Sequence, residues 1–260
     1  MGESVLYEVE DGLATVTLNR PEAMNALDTN TKDTLREALR AASSDAAVRA
    51  VLLTARGRAF CVGQDLKEHV GILEAGGGMT TVADHYNPIA TAIATMPKPV
   101  VVAVNGVAAG AGAGFAFAAD YRLASDTASF TTAFAGVALS TDSGMSWTLP
   151  RLVGQARAAE LLLFPRPVPA QEALSLGLVH RVLPADELAQ AAVAVARELA
   201  DGPTVAYAAI KEALAYGASH TLAETLERED ALQTRAGASA DHREAVSAFV
   251  AKRRPRFEGR

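Results

Sequence analysis

The stretch "PVVVAVNGVAAGAGAGFAFAAD", Pro99 to Asp120, decides how the chain is read. Its first part, "PVVVAVN", is an apolar, β-branched run without alternation, the pattern of a strand buried on both faces. The remainder is rich in glycine. A glycine-rich loop between a strand and a helix is a way to build an anion site, because the backbone can come close to the ligand and the helix N-terminus favours negative charge. Yet "GVAAGAGAGFAFAAD" contains no acid, base or nucleophile before Asp120. Gly110, Gly112 and Gly114 give G-x-G-x-G, with Phe115 where a dinucleotide-binding turn needs glycine, and no Gly-Lys-Ser/Thr of a P-loop occurs. Any chemistry beside this loop would have to come from elsewhere in the chain.

A second loop has the same setting. "RGRAFCVGQDLKE", Arg56 to Glu68, comes after the apolar strand pattern "AVRAVLLTA", carries Gly63 and enters a helix at Asp65 or Leu66. Two strand-to-helix turns that converge can each aim one backbone N–H at a single oxygen, which is the geometry of an oxyanion hole. Two tight turns without a ligand are the alternative.

Further out, "VLYEVE" and "LATVTLN" alternate around Asp11-Gly12 and predict a hairpin. Leu35, Ala38, Leu39 and Ala42 recur at helical spacing and predict a helix from Thr29 to about Ser43, so the chain opens as a ββα unit. A second helix is expected from about Thr81 to Thr95, stopping before Pro97, and "YRLAS" and "ASFTTA" predict short strands. From about Gly144 helices predominate: 155–163, 170–176, 185–200, 203–216, 221–238 and 241–252. The fold class is α/β, with residues 1–202 as a catalytic core and 203–260 as a C-terminal helical region.

Half of the 260 residues are apolar, enough for a substantial core, and only 5% are aromatic, which favours helices packed through small side chains. A net charge of −6 disfavours general nucleic-acid binding. The single cysteine, Cys61, cannot form an intramolecular disulfide and suits a reducing compartment, so the cytoplasm is expected. No secretory pattern, myristoylation signal or uncharged run of spanning length is present, and no membrane anchor is expected. His180, His220 and His242 lack metal-ligand spacing, and no metal is expected. His85, in "ADHYNPI", reads either as a second polar group facing a pocket or as a surface or capping residue, and Asp65 and Glu68 read as helix-capping or flanking acids. Trp147 and, taken alone, Phe249 read as core. The group Lys252, Arg253, Arg254 and Arg256 reads either as a solvated helix C-terminus or as a site for ligand phosphates.

Taken together, "LNRPEAMNAL", "RAFCVGQDLKE", "KPVVVAVNGVAAGAGAGFAFAAD", "LPRLVG" and "REAVSAFVAKRRPRF" occur in the order seen in the enoyl-CoA hydratase/isomerase (crotonase) superfamily, and the chain resembles that superfamily over nearly its whole length. The resemblance implies a crotonase-like spiral of ββα units and a C-terminal helical region used in trimerisation, with trimers that often pair into hexamers. It also implies an acyl-CoA thioester as ligand, with coenzyme A part of the substrate and no separate cofactor. Carried over position by position, the oxyanion donors fall on the backbone N–H groups of Gln64 and Ala111. Ala111 stands where relatives usually have glycine, and its methyl narrows the implied pocket. Val62, Lys67 and Gly110 fall at the CoA and substrate site, with Phe249 and Lys252 approaching from a neighbouring subunit.

The same resemblance removes the usual hydration machinery. The two glutamates of a typical hydratase fall on Gly114 and Phe134, neither of which can exchange a proton. The replacement is Asp142 in "STDSG", a segment similar to the PaaG-like isomerase branch linked to phenylacetate metabolism, whose catalytic aspartate falls there. Ser140, Thr141, Asp142 and Ser143 are also good turn and N-cap residues, so a structural role is the competing reading. The expectation is an isomerase in which Asp142, beside Phe134, moves a proton on an unsaturated acyl-CoA while the Gln64/Ala111 pair holds the enolate. A hydratase and a catalytically silent acyl-CoA-binding protein stay open. A halide-displacing enzyme fits less well, since it would have Trp where this chain has Phe134.

Overall fold

The computed structural model describes residues 3–76, 78 and 80–260, so Met1 and Gly2 of the N-terminal reading lie outside the described residues. The hairpin forms as expected: β1 (Val5–Glu10) pairs antiparallel with β2 (Leu13–Leu18). Asp11 and Gly12 both take positive φ (46° and 80°), the backbone a two-residue hairpin turn requires. Helix α1 (Thr29–Ser44) begins where the Asp28 side chain accepts from the Thr31 N–H, and buries Leu35, Ala38, Leu39 and Ala42.

From there the chain repeats one unit. A strand in a large sheet is followed by a short strand in a small sheet and then by helix: β3 (Ala50–Ala55), β4 (Ala59–Cys61) and α2 (Leu66–Glu74), with α3 (Asn87–Thr95) behind them; next β5 (Val100–Val104), β6 (Val107–Ala109) and α4 (Ala111–Ala118). A third turn has β7 (Tyr121–Ser125), β8 (Ser129–Thr131), α5 (Met145–Val153) and α6 (Gln155–Leu163). The chain then runs through β9 (Val168–Pro169), α7 (Ala170–Ser175), β10 (Arg181–Leu183) and the helices α8 (Leu188–Ala200), α9 (Thr204–Gly217), α10 (Leu222–Gly237) and α11 (Ala240–Val250). The large sheet has order β1-β2-β3-β5-β7-β10, parallel after the first hairpin; the small sheet has order β4-β6-β8-β9. This is the α/β organisation expected, a spiral of ββα units.

The unbroken apolar runs of β3 and β5 are explained by burial on both faces. Val51, Leu53, Val100, Val102 and Val104 belong to the main core, whereas Ala50, Leu52, Val101 and Ala103 point to a second cluster closed by Leu188, Ala192, Ala196 and Ala200 of α8. Helix α9 is tied to the sheets by Lys211, which donates to the Asp120 carboxylate at 2.7 Å and to the Ile93 carbonyl at 2.9 Å.

Three expectations are corrected. The glycine-rich stretch is mostly regular structure, a three-residue strand and an eight-residue helix, with Gly110 as the turn between them. All eight residues of α4 are buried, so no apolar stripe marks it in the sequence. Trp147 is 45% exposed on α5 with the Arg151 guanidinium over its ring, and Phe249 is 85% exposed on α11, so neither is core. Helix α11 ends at Val250, which places Lys252 in the turn beyond it at φ 52°.

Candidate active site

The two turns are built differently and meet. After β4, the Leu27 N–H donates to the Gly63 carbonyl (2.8 Å) and the Asp65 N–H to the Leu27 carbonyl (3.1 Å), which pins the peptide of Gln64 between them. In the other turn Gly110 takes φ 51°, ψ −123°, a conformation closed to residues with a Cβ, and Ala111 opens α4. A Cβ on Gly63 would lie 3.0 Å from the Ala109 carbonyl and 3.6 Å from the Ala111 nitrogen, so the turns are in contact. Among the described residues neither the Gln64 nor the Ala111 N–H donates to a protein acceptor. Two unused backbone donors in adjacent turns can receive one anionic oxygen.

Gln64 and Ala111 both line a cavity of about 610 Å³. Val62, Gln64, Lys67, Gly110, Ala111, Phe134 and Asp142 all line it, together with Arg20, Tyr86, Leu66, Val137 and Leu139. The structure thus brings together seven of the nine residues singled out from the sequence. Phe249 and Lys252 are exposed in the C-terminal region and do not line the cavity of their own chain. His85 does not line it either: its Nδ1 is 3.2 Å from the Thr81 hydroxyl and its Nε2 3.4 Å from the Asp33 carboxylate, so it joins a helix-to-helix contact.

The carboxylates of the cavity are not equivalent. Glu22 is exposed. Asp65 caps α2, accepting from Lys67 and Glu68 N–H groups, and pairs with Arg20 at 3.2 Å. Its burial raises its pKa, but the N–H donors and the guanidinium outweigh that and leave it below the ordinary carboxylate range. Asp142 has no cationic partner among the described residues; the Ser143 hydroxyl donates to its Oδ1 at 2.7 Å. Burial pushes its pKa up, and the Ser143 bond offsets only part of the rise. A carboxyl so placed takes up a proton more readily than an exposed one.

Gly114, where the resemblance would set a hydratase glutamate, has little room for a side chain. A Cβ there would sit 2.7 Å from the Ser143 Cβ and 3.3 Å from its carbonyl oxygen. Ser143 is fully buried at φ 53°, and fills the space into which a side chain at 114 would project. The glycine and the Asp142–Ser143 turn are therefore a matched pair. Phe134, on the other side, is nearly buried and apolar.

Sequence reading missed Tyr86 and Lys32. The Tyr86 hydroxyl donates to Gln64 Oε1, and its ring lines the cavity. Lys32 is 1% exposed, and its position three residues before Leu35, on the apolar stripe of α1, was a usable signal. Tyr86 carried a similar mark, standing three, four and seven residues before Ile89, Ala90 and Ile93, the buried face of α3, although its own turn, Val82–Tyr86, is π-helical. Among the described residues no cluster of His, Cys, Asp or Glu could hold a metal ion, and no helix is long and apolar enough to cross a membrane.

The family model described as Enoyl-CoA hydratase/isomerase matches residues 8–260. A 1,2-epoxyphenylacetyl-CoA isomerase of Escherichia coli is 42% identical over 264 aligned residues, covering 100% of both chains. A Rhodobacter capsulatus protein named "Probable enoyl-CoA hydratase" is 44% identical, covering 99% of this chain and 98% of its own. A crystal structure of a Mycobacterium abscessus protein of the enoyl-CoA hydratase/isomerase type superposes with a TM-score of 0.95 at 48% identity, covering 98% of this chain and 100% of its own.

Proposed function

The chain belongs to the enoyl-CoA hydratase/isomerase family, and from that premise we propose that it is an acyl-CoA isomerase that moves a double bond with Asp142 as its acid/base. The carrying observation is that Asp142 is a half-buried cavity carboxylate with neither a cationic partner among the described residues nor a cap to serve, whereas Asp65 is paired and capping and Glu22 is exposed, in a site where Gly114 and Phe134 stand where the resemblance sets the hydratase acids. The thioester oxygen accepts from the Gln64 and Ala111 N–H groups. The Asp142 carboxylate takes a proton from the carbon next to the thioester carbonyl, or from the far end of the conjugated system. The electron pair of that C–H bond passes into the enolate, and the protonated Asp142 delivers the same proton to the other end. No atom is gained or lost, and the carboxylate returns to its starting state.

The CoA moiety would run past Val62 and Lys67. Phe249 and Lys252 would complete the site of a neighbouring protomer in a homotrimer or a hexamer of paired trimers, a reading supported by their exposure and by their absence from their own chain's cavity lining. A reducing compartment such as the cytoplasm suits the single buried thiol of Cys61, whose pKa burial pushes up to about 12.

Hydration is the second reading, favoured by the name of the Rhodobacter capsulatus relative. Mass spectrometry and ultraviolet absorbance on incubations with 3-enoyl-CoA esters, linear and ring-containing, and with crotonyl-CoA separate the two. Isomerisation gives double-bond migration at unchanged mass. A gain of one water on crotonyl-CoA as the principal reaction would replace the proposal with hydration. Binding of every ester without turnover would instead indicate an acyl-CoA-binding protein.

A further inference from the structure

Behind the Gln64 turn lies a buried polar cluster that the proton shuttle does not use. Lys32, from α1, is 1% exposed, yet its ammonium lies 2.9 Å from the Thr81 hydroxyl, 3.4 Å from Gln64 Oε1 and 3.5 Å from a Glu68 carboxylate oxygen. The Tyr86 hydroxyl donates to the same Gln64 oxygen, and the Lys32 ammonium stands 5.8 Å from the Tyr86 ring centre. Gln64 Nε2 in turn lies 3.5 Å from the Glu68 carboxylate. A buried ammonium is costly unless it is paired and hydrogen-bonded, so its position needs a reason beyond packing. The cluster converges on the side chain of the one residue whose backbone N–H forms half of the oxyanion pair.

We propose that Lys32 and Tyr86 are positioning residues for the oxyanion site: they grip the Gln64 side chain from inside the fold, fix the direction of its N–H, and place a positive charge behind it. The inference rests on the enolate reading of the site. Neither residue moves a proton. Lys32 acts on the reaction through Gln64, and its charge favours negative charge on the thioester oxygen more in the enolate than in the ground-state ester. Glu68, which is half-buried, offsets part of that charge, at the longest of the three distances from the ammonium.

The test uses acetoacetyl-CoA, whose enolate has its own ultraviolet band, so the oxyanion site is read without turnover. Wild type, Lys32→Met and Tyr86→Phe are titrated with acetoacetyl-CoA and, as a control for plain binding, with butyryl-CoA. The expected result is an enolate-to-ketone ratio on the enzyme lower by about tenfold in Lys32→Met and by several-fold in Tyr86→Phe, with butyryl-CoA affinity within about twofold of wild type. With an isomerisable substrate the same variants lose kcat and keep KM. An enolate ratio equal to wild type in both variants overturns the proposal and leaves the oxyanion site standing. No enolate band in the wild type removes the enolate reading itself, and the proposal with it. Where Lys32→Met fails to fold, Tyr86→Phe decides alone, since it deletes one hydroxyl and keeps the ring.

Discussion

Asp142 and its two neighbours carry predictions whose signs are set by burial. Desolvation raises the Asp142 pKa in the folded chain above its unfolded value, so burying the carboxylate contributes stability only below the unfolded pKa, and that contribution is lost as pH rises through the folded one. Asp142→Asn is therefore expected to unfold at the same temperature as wild type or higher at neutral pH, with the difference closing on acidification, as thermal melts across pH would show. The acid limb of kcat/KM should lie above the ordinary aspartate range, and Ser143→Ala, which removes the hydroxyl that favours the charged form, should move it to still higher pH. Gly114→Ala puts a methyl 2.7 Å from the Ser143 Cβ. Overpacking of this kind costs about 1–3 kcal/mol, and it should depress turnover more than stability by shifting the Asp142 turn. For the same reason Gly114→Glu should fail to create a hydratase. At this scale the sequence was informative about chemistry and silent about fit: Gly114 and Phe134, which the family resemblance sets against two glutamates, are legible in "AGAGF" and "TAFAG", but that Ser143 occupies the space above Gly114 depends on a contact between residues far apart in the chain.

At the level of single elements, legibility tracks pattern length. The hairpin at Asp11-Gly12 and α1 are legible because alternation and helical spacing persist over many residues. The small sheet is not, since β4, β6 and β9 are two or three residues long and hide in stretches that look like loops. Helix α4 reads as loop because it is apolar all round. Helix α2 is the element most open to test. Its N-cap, Asp65, accepts from two N–H groups and also pairs with Arg20, so Asp65→Ala should cost about 0.5–2 kcal/mol of stability, measured by urea unfolding. Because Lys67 lies in the first turn of the same helix, the variant should also raise KM for acyl-CoA while leaving kcat closer to wild type.

The molecule as a whole uses its regular parts to hold two turns together. Parallel strands β3 and β5 are neighbours in the large sheet, and the short strands after them, β4 and β6, are neighbours in the small one, so the Gln64 and Ala111 turns are adjacent by topology. Asp142, the proposed acid/base group, lies in the next turn of the spiral, between β8 and α5. Outside this centre, Ile210, Leu214, Leu222, Leu226, Phe249 and Val250 expose apolar side chains on the C-terminal helices. The proposed trimer covers such a surface; light scattering on the purified protein should give three chains or a multiple of three, and Phe249→Asp should shift it towards the monomer and raise KM. The measurement that tests the central claim most directly is turnover of a 3-enoyl-CoA by Asp142→Asn beside wild type, with ester binding measured on the same samples. Loss of about 10²–10⁴ in kcat with binding retained is the predicted result. An unchanged kcat would contradict the account, because the proton would then travel through a group other than Asp142.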